Sequence, residues 1–118
     1  MGLILNRDAI LESLDLGLEQ VDIPEWGGTV CIREMTAAER DALGSGYLKD
    51  KEAGAEMENF RAKLLVRVIC DENRNRLFAD DDIVILGCKS SAVLDRLFTV
   101  ANRLNGTAPE AVDDLAKN

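Results

Sequence analysis

Histidine is missing from all 118 residues, and with it the commonest general base and the commonest metal ligand. Its absence is matched by others. There is no G-x-S-x-G turn, no phosphate loop and no cysteine in an evident basic setting, so the sequence offers nothing with which to build an enzyme. The three cysteines, Cys31, Cys70 and Cys88, are odd in number and far apart, with no C-x-x-C. This pattern predicts free, reduced and mostly buried thiols rather than a disulfide framework or a zinc site. Aromatic residues make up only 4% of the chain, so its core must be aliphatic, and an aliphatic core of this size favours helices over a large sheet. Basic residues are outnumbered as well. A formal charge of −8 repels a phosphate backbone and argues against nucleic-acid binding. The opening MGLILNRDAILESLD meets charge too early, and its apolar run is too short, for a signal peptide or a membrane span, which predicts neither export nor membrane insertion.

What remains is enough for one domain with a single core. The expected fold is mainly α: a small helical domain with an N-terminal β-hairpin. Asn6 is placed to cap a short helix through Asp15, with Ile10, Leu11 and Leu14 covering one face, and Gly17 stops it. A hairpin at about residues 19–34 carries Val21 and Ile23 on one arm and Val30 and Ile32 on the other. Pro24, Gly27 and Gly28 supply its turn, and Pro24 makes it an edge element. Thr36 and Glu39 form a T-x-x-E capping box that opens a helical body at about residues 36–105. Gly44, Ser45, Gly46 and the polar run after them predict a flexible joint around residues 44–55.

Met57, Phe60, Leu64, Leu65 and Val68 then form the stripe of what reads as the strongest amphipathic helix. A turn follows in CDENRNRLFADDD, with Leu77 and Phe78 pinning it inward, then a short helix over DIVILG. Ser90 caps a helix whose stripe is Val93, Leu94, Leu97, Phe98, Ala101 and Leu104, closed by Gly106. Thr107, Pro109 and Glu110 start a last helix at about 108–116.

One stretch has the outline of a calcium loop, because Asp71, Asn73, Asn75 and Asp82 fall at positions 1, 3, 5 and 12. Position 6 is Arg76 where a glycine is needed, and position 12 is an aspartate where a bidentate glutamate is expected. The competing reading is a surface turn followed by Asp80, Asp81 and Asp82 at a helix N-terminus. The lone Trp26 is either an anchor for a partner's pocket or a ring folded back onto the core. Trp26, Tyr47, Asp80, Asp81 and Asp82 are the candidate partner contacts, chosen for aromatic anchoring and charge; no catalytic, cofactor-binding or metal-binding residue is expected.

Three runs in this order, VDIPEWGGTVCIREMTAAERDAL, LLVRVICDENRNRLFADDD and LDRLFTVANRLNG, resemble the tail assembly chaperones of long-tailed siphophages. The resemblance spans about residues 18–107. Its most specific pieces are the P-E-W-G-G turn leading into R-E-x-T-x-x-E-R and the closing L-x-R-L-x-x-V-A-x-R-L-N-G helix. It implies a non-enzymatic protein that holds the tape-measure protein soluble and helps the major tail-tube protein polymerise around it. It further implies action in the host bacterial cytoplasm, absence from the mature virion, and self-association. Many members are made in two lengths, the longer by a −1 frameshift, and this chain fits the short form. Ala116, Lys117 and Asn118 are compatible with a slippery A AAA AAC heptamer. The alternative is a small cytoplasmic adaptor, responsive to calcium through the Asp71 loop.

Overall fold

A computed structural model describes residues 2–106. Strands β1 (Leu18–Ile23) and β2 (Gly28–Arg33) pair antiparallel, with Val21 opposite Val30 and Glu19 opposite Ile32. Period-two alternation puts Val21, Ile23, Val30 and Ile32 on one face, and Ile23 and Ile32 are fully buried. Pro24 opens a single 3-10 turn to Trp26, where its missing N–H is no loss, and Gly27 closes the turn at φ +72°.

The hairpin is not an edge element as a whole. A third strand, β3 (Ile69–Cys70), pairs antiparallel with β2, so of the two hairpin strands β2 is central and β1 alone lies at an edge. Two residues are too short a run to register as a strand in sequence, and Ile69 and Cys70 are extended here because burial and pairing with β2 hold them.

Helix α1 (Arg7–Glu12) is capped as expected, the Asn6 side-chain oxygen accepting from Ala9 N–H at 2.9 Å. It stops at Glu12 rather than Asp15, and none of its residues is buried, so Ile10, Leu11 and Leu14 cover nothing in their own domain. Helix α2 (Ala37–Glu52) corrects a larger expectation. It runs without a break through Gly44, Ser45 and Gly46, where a flexible joint was predicted. Leu43, Gly44 and Tyr47 are buried along it, and packing of that face outweighs the roughly 1 kcal/mol that each glycine costs a helix. Gly46→Ala is therefore expected to stabilise the fold by about 0.5–1 kcal/mol, since a Cβ there meets nothing within 4 Å. A thermal midpoint raised by a few degrees checks this; a lowered one would favour the joint.

Helix α3 (Phe60–Val68) starts three residues later than the periodicity suggested, and Met57 stands exposed outside it. Nor is α3 one-sided: Phe60, Ala62, Leu64, Leu65, Val66 and Val68 are all buried, because α3 is packed by α4 (Ile83–Gly87), α5 (Ser91–Asn105) and the 3-10 turn Asp80–Asp82. The amphipathic helix proper is α5. It lays Val93, Leu94, Leu97 and Ala101 on α3, with Phe98 and Leu104 at the margin. Ser90 caps it through Val93 N–H, and Gly106 ends it at φ +61°.

In the turn before α4 only Phe78 packs on the core; Leu77 is exposed. The three thiols are free, but Cys88 is exposed, Cys31 half-buried and Cys70 alone buried, so the expectation of mostly buried thiols fails at the end of α4. The helix expected at 108–116 lies outside the described residues.

Candidate partner-binding surfaces

The most constrained region is a polar clasp where β2 runs into α2. Arg33, at the end of β2, is buried. Its Nε and Nη2 donate to the Arg67 carbonyl at the end of α3 (3.1 and 2.7 Å), while Nη1 and Nη2 donate to the two Glu39 carboxylate oxygens (3.2 and 2.6 Å). Glu39 also closes the capping box, accepting from Thr36 N–H at 2.9 Å while Thr36 Oγ1 accepts from Glu39 N–H. Burial pushes the Glu39 carboxyl up, but the Arg33 and Thr36 hydrogen bonds and the Arg33 charge outweigh it and hold it below its ordinary value.

On the other side, Asn105 at the end of α5 accepts from Met35 N–H at 2.7 Å and donates to the Ala101 and Arg33 carbonyls (2.9 and 3.4 Å). Arg40 donates to the Asn105 carbonyl at 2.7 Å and to the Gly106 carbonyl, satisfying the C-terminal carbonyls that α5 leaves open. REMTAAER and RLNG, far apart in sequence, thus form one junction. Its work is architectural: it locks hairpin, α2, α3 and α5 together.

Beside the clasp, a pocket of about 220 Å³ opens between α2 and α3. Leu43, Tyr47, Phe60 and Ile83 supply its apolar lining, and Lys49, Lys63 and Arg67 its cationic groups. Tyr47 is not on the open surface. Its ring is buried, edge-on to Phe60 at 5.8 Å between centroids, and lines this pocket. Lys63 is tied to Asp50 at 2.8 Å.

Trp26 lies between its two sequence readings, half-exposed at the hairpin tip with the Lys89 ammonium 5.7 Å from its ring centroid. The tip is held to α5 by Glu25, which accepts from both terminal nitrogens of Arg96 (3.0 and 2.7 Å); those bonds and the hydrogen bond from its own backbone lower its pKa to about 2.

The acidic cluster is mostly engaged locally. Asp80 accepts from Arg76 at 2.8 Å, which holds its carboxyl below the usual range, and Asp82 accepts from Ala79 N–H at 2.9 Å; Asp81 is exposed. Asp71, first in the calcium-like loop, turns Oδ1 to the backbone N–H groups of Asn75 and Asn73, and these bonds lower its pKa. It makes an Asx-turn. Among the described residues no group of three or more acidic or sulfur ligands is arranged to hold a metal.

All the resolved carboxyl shifts are downward, so the sign of the pH dependence is fixed. Groups depressed in the folded state add stability above their unfolded values, and that stability is lost as pH falls through the folded ones. The thermal midpoint should hold between about pH 5 and 8, where no histidine titrates, and fall from about pH 4.5 towards the Glu25 value of about 2. Arg96→Met should remove part of that fall. A midpoint unchanged at pH 2.5 to 3, roughly, would show that these pairs contribute nothing.

Compared with known families, residues 6–118 match the sequence model described as phage tail assembly chaperone. The chain belongs to this family. Comparison with curated proteins finds no match. Among solved structures, that of the bacteriophage HK97 tail assembly chaperone is similar, with a TM-score of 0.56 and 23% identity over 82% of this chain and 88% of that one. At that identity the likeness concerns the fold: the mainly helical body with a small antiparallel sheet near its N-terminus. A tail assembly chaperone has a non-catalytic role, and its work is done inside the host cell while phage particles are assembled. No described helix of this member is long and apolar enough to cross a membrane.

The clasp residues Arg33, Arg40 and Asn105 were visible in the motifs that carry the resemblance, yet nothing local announced that they meet. Only the capping box, Thr36 with Glu39, had a sequence signature.

Proposed function

We propose that this tail assembly chaperone binds the tape-measure protein, keeps it soluble and promotes polymerisation of the major tail-tube protein around it. The reading rests on the family match over residues 6–118. Exposed apolar side chains such as Leu48, Leu77, Val84 and Ile85 are available to such partners. In this reading the chain acts in the host cytoplasm as a homo-oligomer, leaves before the virion is complete, and is the short product of a gene that also yields a −1 frameshifted form.

Co-production of the tape-measure protein of the same phage with this chain is expected to raise its soluble fraction several-fold and to yield a complex that co-purifies. Unchanged solubility with no co-purification would overturn the reading. Expression from the gene with its native downstream DNA should add a minor, longer product; its absence would remove the frameshift and leave tape-measure binding untouched.

A further inference from the structure

Cys31 on β2 and Cys70 on β3 are directly opposite each other in the sheet. The hydrogen bonds around them fix what kind of pair they make. Glu34 N–H donates to the Gly17 carbonyl at 2.8 Å, so, two residues back, Ile32 turns its backbone polar groups to β1 and Cys31 turns its own to β3. On the far side, Leu77 N–H donates to the Ile69 carbonyl at 3.1 Å and Asp71 N–H to the Asn75 carbonyl at 2.9 Å. Ile69 and Asp71 thus turn away from β2, and Cys70 between them turns towards it. Cys31 and Cys70 are therefore a hydrogen-bonded antiparallel pair, a type whose Cα atoms lie about 5.5 Å apart. Disulfides span about 4.4–6.8 Å between Cα atoms, most often about 5.5–6 Å. The backbone already holds the distance.

Both side chains share the face opposite Ile32 and Ile69, and both thiols are free. The Cys70 thiol already points at β2, donating to the Cys31 carbonyl across 3.7 Å. Access divides the two. Cys31 is half-buried, whereas Cys70 is buried, and burial, with Cys31 beside it, pushes the Cys70 thiol up. Cys31 is thus the one that meets a reagent from solution. We infer that Cys31 and Cys70 are a reversible dithiol–disulfide couple in the folded chain, oxidised by low-molecular-weight disulfides such as glutathione disulfide. The Cys31 thiolate attacks one sulfur of the reagent and expels the other as a thiolate, leaving a mixed disulfide. Cys70, as thiolate, attacks Cys31 Sγ, forming the Cys31–Cys70 bond and expelling the second small thiolate. The two protein thiol protons pass to the two leaving thiolates, so two cysteines are oxidised and one small disulfide is reduced to two thiols. The bond joins residues 39 apart and staples β2 to the end of α3, beside the clasp of Arg33 on the Arg67 carbonyl. Where small thiols predominate the staple is open, and where their disulfides do it is closed. It does not depend on the tape-measure reading.

The test uses the full chain with Cys88→Ser, which removes the exposed third thiol and keeps the pair. It is incubated with glutathione disulfide without denaturant and followed by intact mass, peptide mapping without reductant, and thermal unfolding. The expected product has lost two hydrogens and carries a Cys31–Cys70 link. Its thermal midpoint should be raised by about 5–15 °C, as closing a long loop restricts the unfolded chain, and dithiothreitol should reverse the rise. Two further changes in that background separate the steps. Cys70→Ser should stop at a glutathione mixed disulfide on Cys31, with no rise of the midpoint. Cys31→Ser should gain neither link nor glutathione, since the remaining thiol is buried; its side chain is half-buried, so it keeps the fold even where Cys70→Ser does not. Thiols that stay reduced, a reaction of the intact pair that ends at the mixed disulfide, or a linked chain whose midpoint is unchanged or lowered would each overturn the inference.

Discussion

Glu39→Ala is expected to lower the thermal midpoint by about 10–20 °C. Two losses combine. The capping box at the start of α2 loses its return bond to Thr36 N–H, which costs about 1 kcal/mol. Arg33, buried with its guanidinium divided between Glu39 and the Arg67 carbonyl, loses its charge partner. Breaking a fully buried pair costs about 3–5 kcal/mol, but the Glu39 side chain keeps 32% of its exposure, so about 1–2 kcal/mol is the fitting share. The sum of about 2–3 kcal/mol converts to that shift for a domain near 100 residues. In an Arg33→Met background the same change should cost at least about 1 kcal/mol less, a coupling read from the double-mutant cycle. Simple additivity would show that the two side chains act independently.

Asn105→Ala is expected to cost a similar amount, about 2–3 kcal/mol, measured as a lowered midpoint in denaturant without a change of slope. The residue itself is small. Its removal orphans the Met35 N–H and weakens the satisfaction of the Ala101 and Arg33 carbonyls, in a place from which water is excluded. Asn105→Asp separates these roles: it keeps an acceptor for Met35 and loses both donations. It also puts a negative charge at the C-terminal end of α5, where the helix dipole opposes it. It should therefore be no better than alanine. A near-neutral aspartate would mean that only the Met35 bond matters.

Local chemistry explains which parts of this fold were legible in the sequence. Caps at Asn6, Thr36 and Ser90, the P-E-W-G-G turn and the closing Gly106 act within four residues, and each is where its signature placed it. Long-range effects were hidden. Gly44 and Gly46 weaken α2 only by propensity, and the burial of Leu43 and Tyr47 that overrides them comes from elements distant in sequence. The two-residue strand Ile69–Cys70 exists because β2 is there to pair with it. Met57 satisfied the helical period of α3 yet lies outside the helix, because Asn59 takes a left-handed backbone at φ 53° and breaks the run.

The candidate contacts divide the same way. Trp26 is at the surface, but its lysine cover comes from Lys89; Tyr47 is inside, lining the pocket; and Asp80 and Asp82 are engaged by Arg76 and the Ala79 backbone. The clasp was spelled out in REMTAAER and RLNG, but its meaning needed the ends of β2, α3 and α5 to be brought together.

The assembly role itself is tested most directly in infection. A phage whose copy of this gene is interrupted by an early stop codon is examined by electron microscopy of the lysate, with and without the 118-residue chain supplied from a plasmid. The proposed role predicts filled heads without tails, tape-measure protein in the insoluble fraction, and tails restored by the plasmid. Normal tails of normal length in the absence of the chain would contradict it.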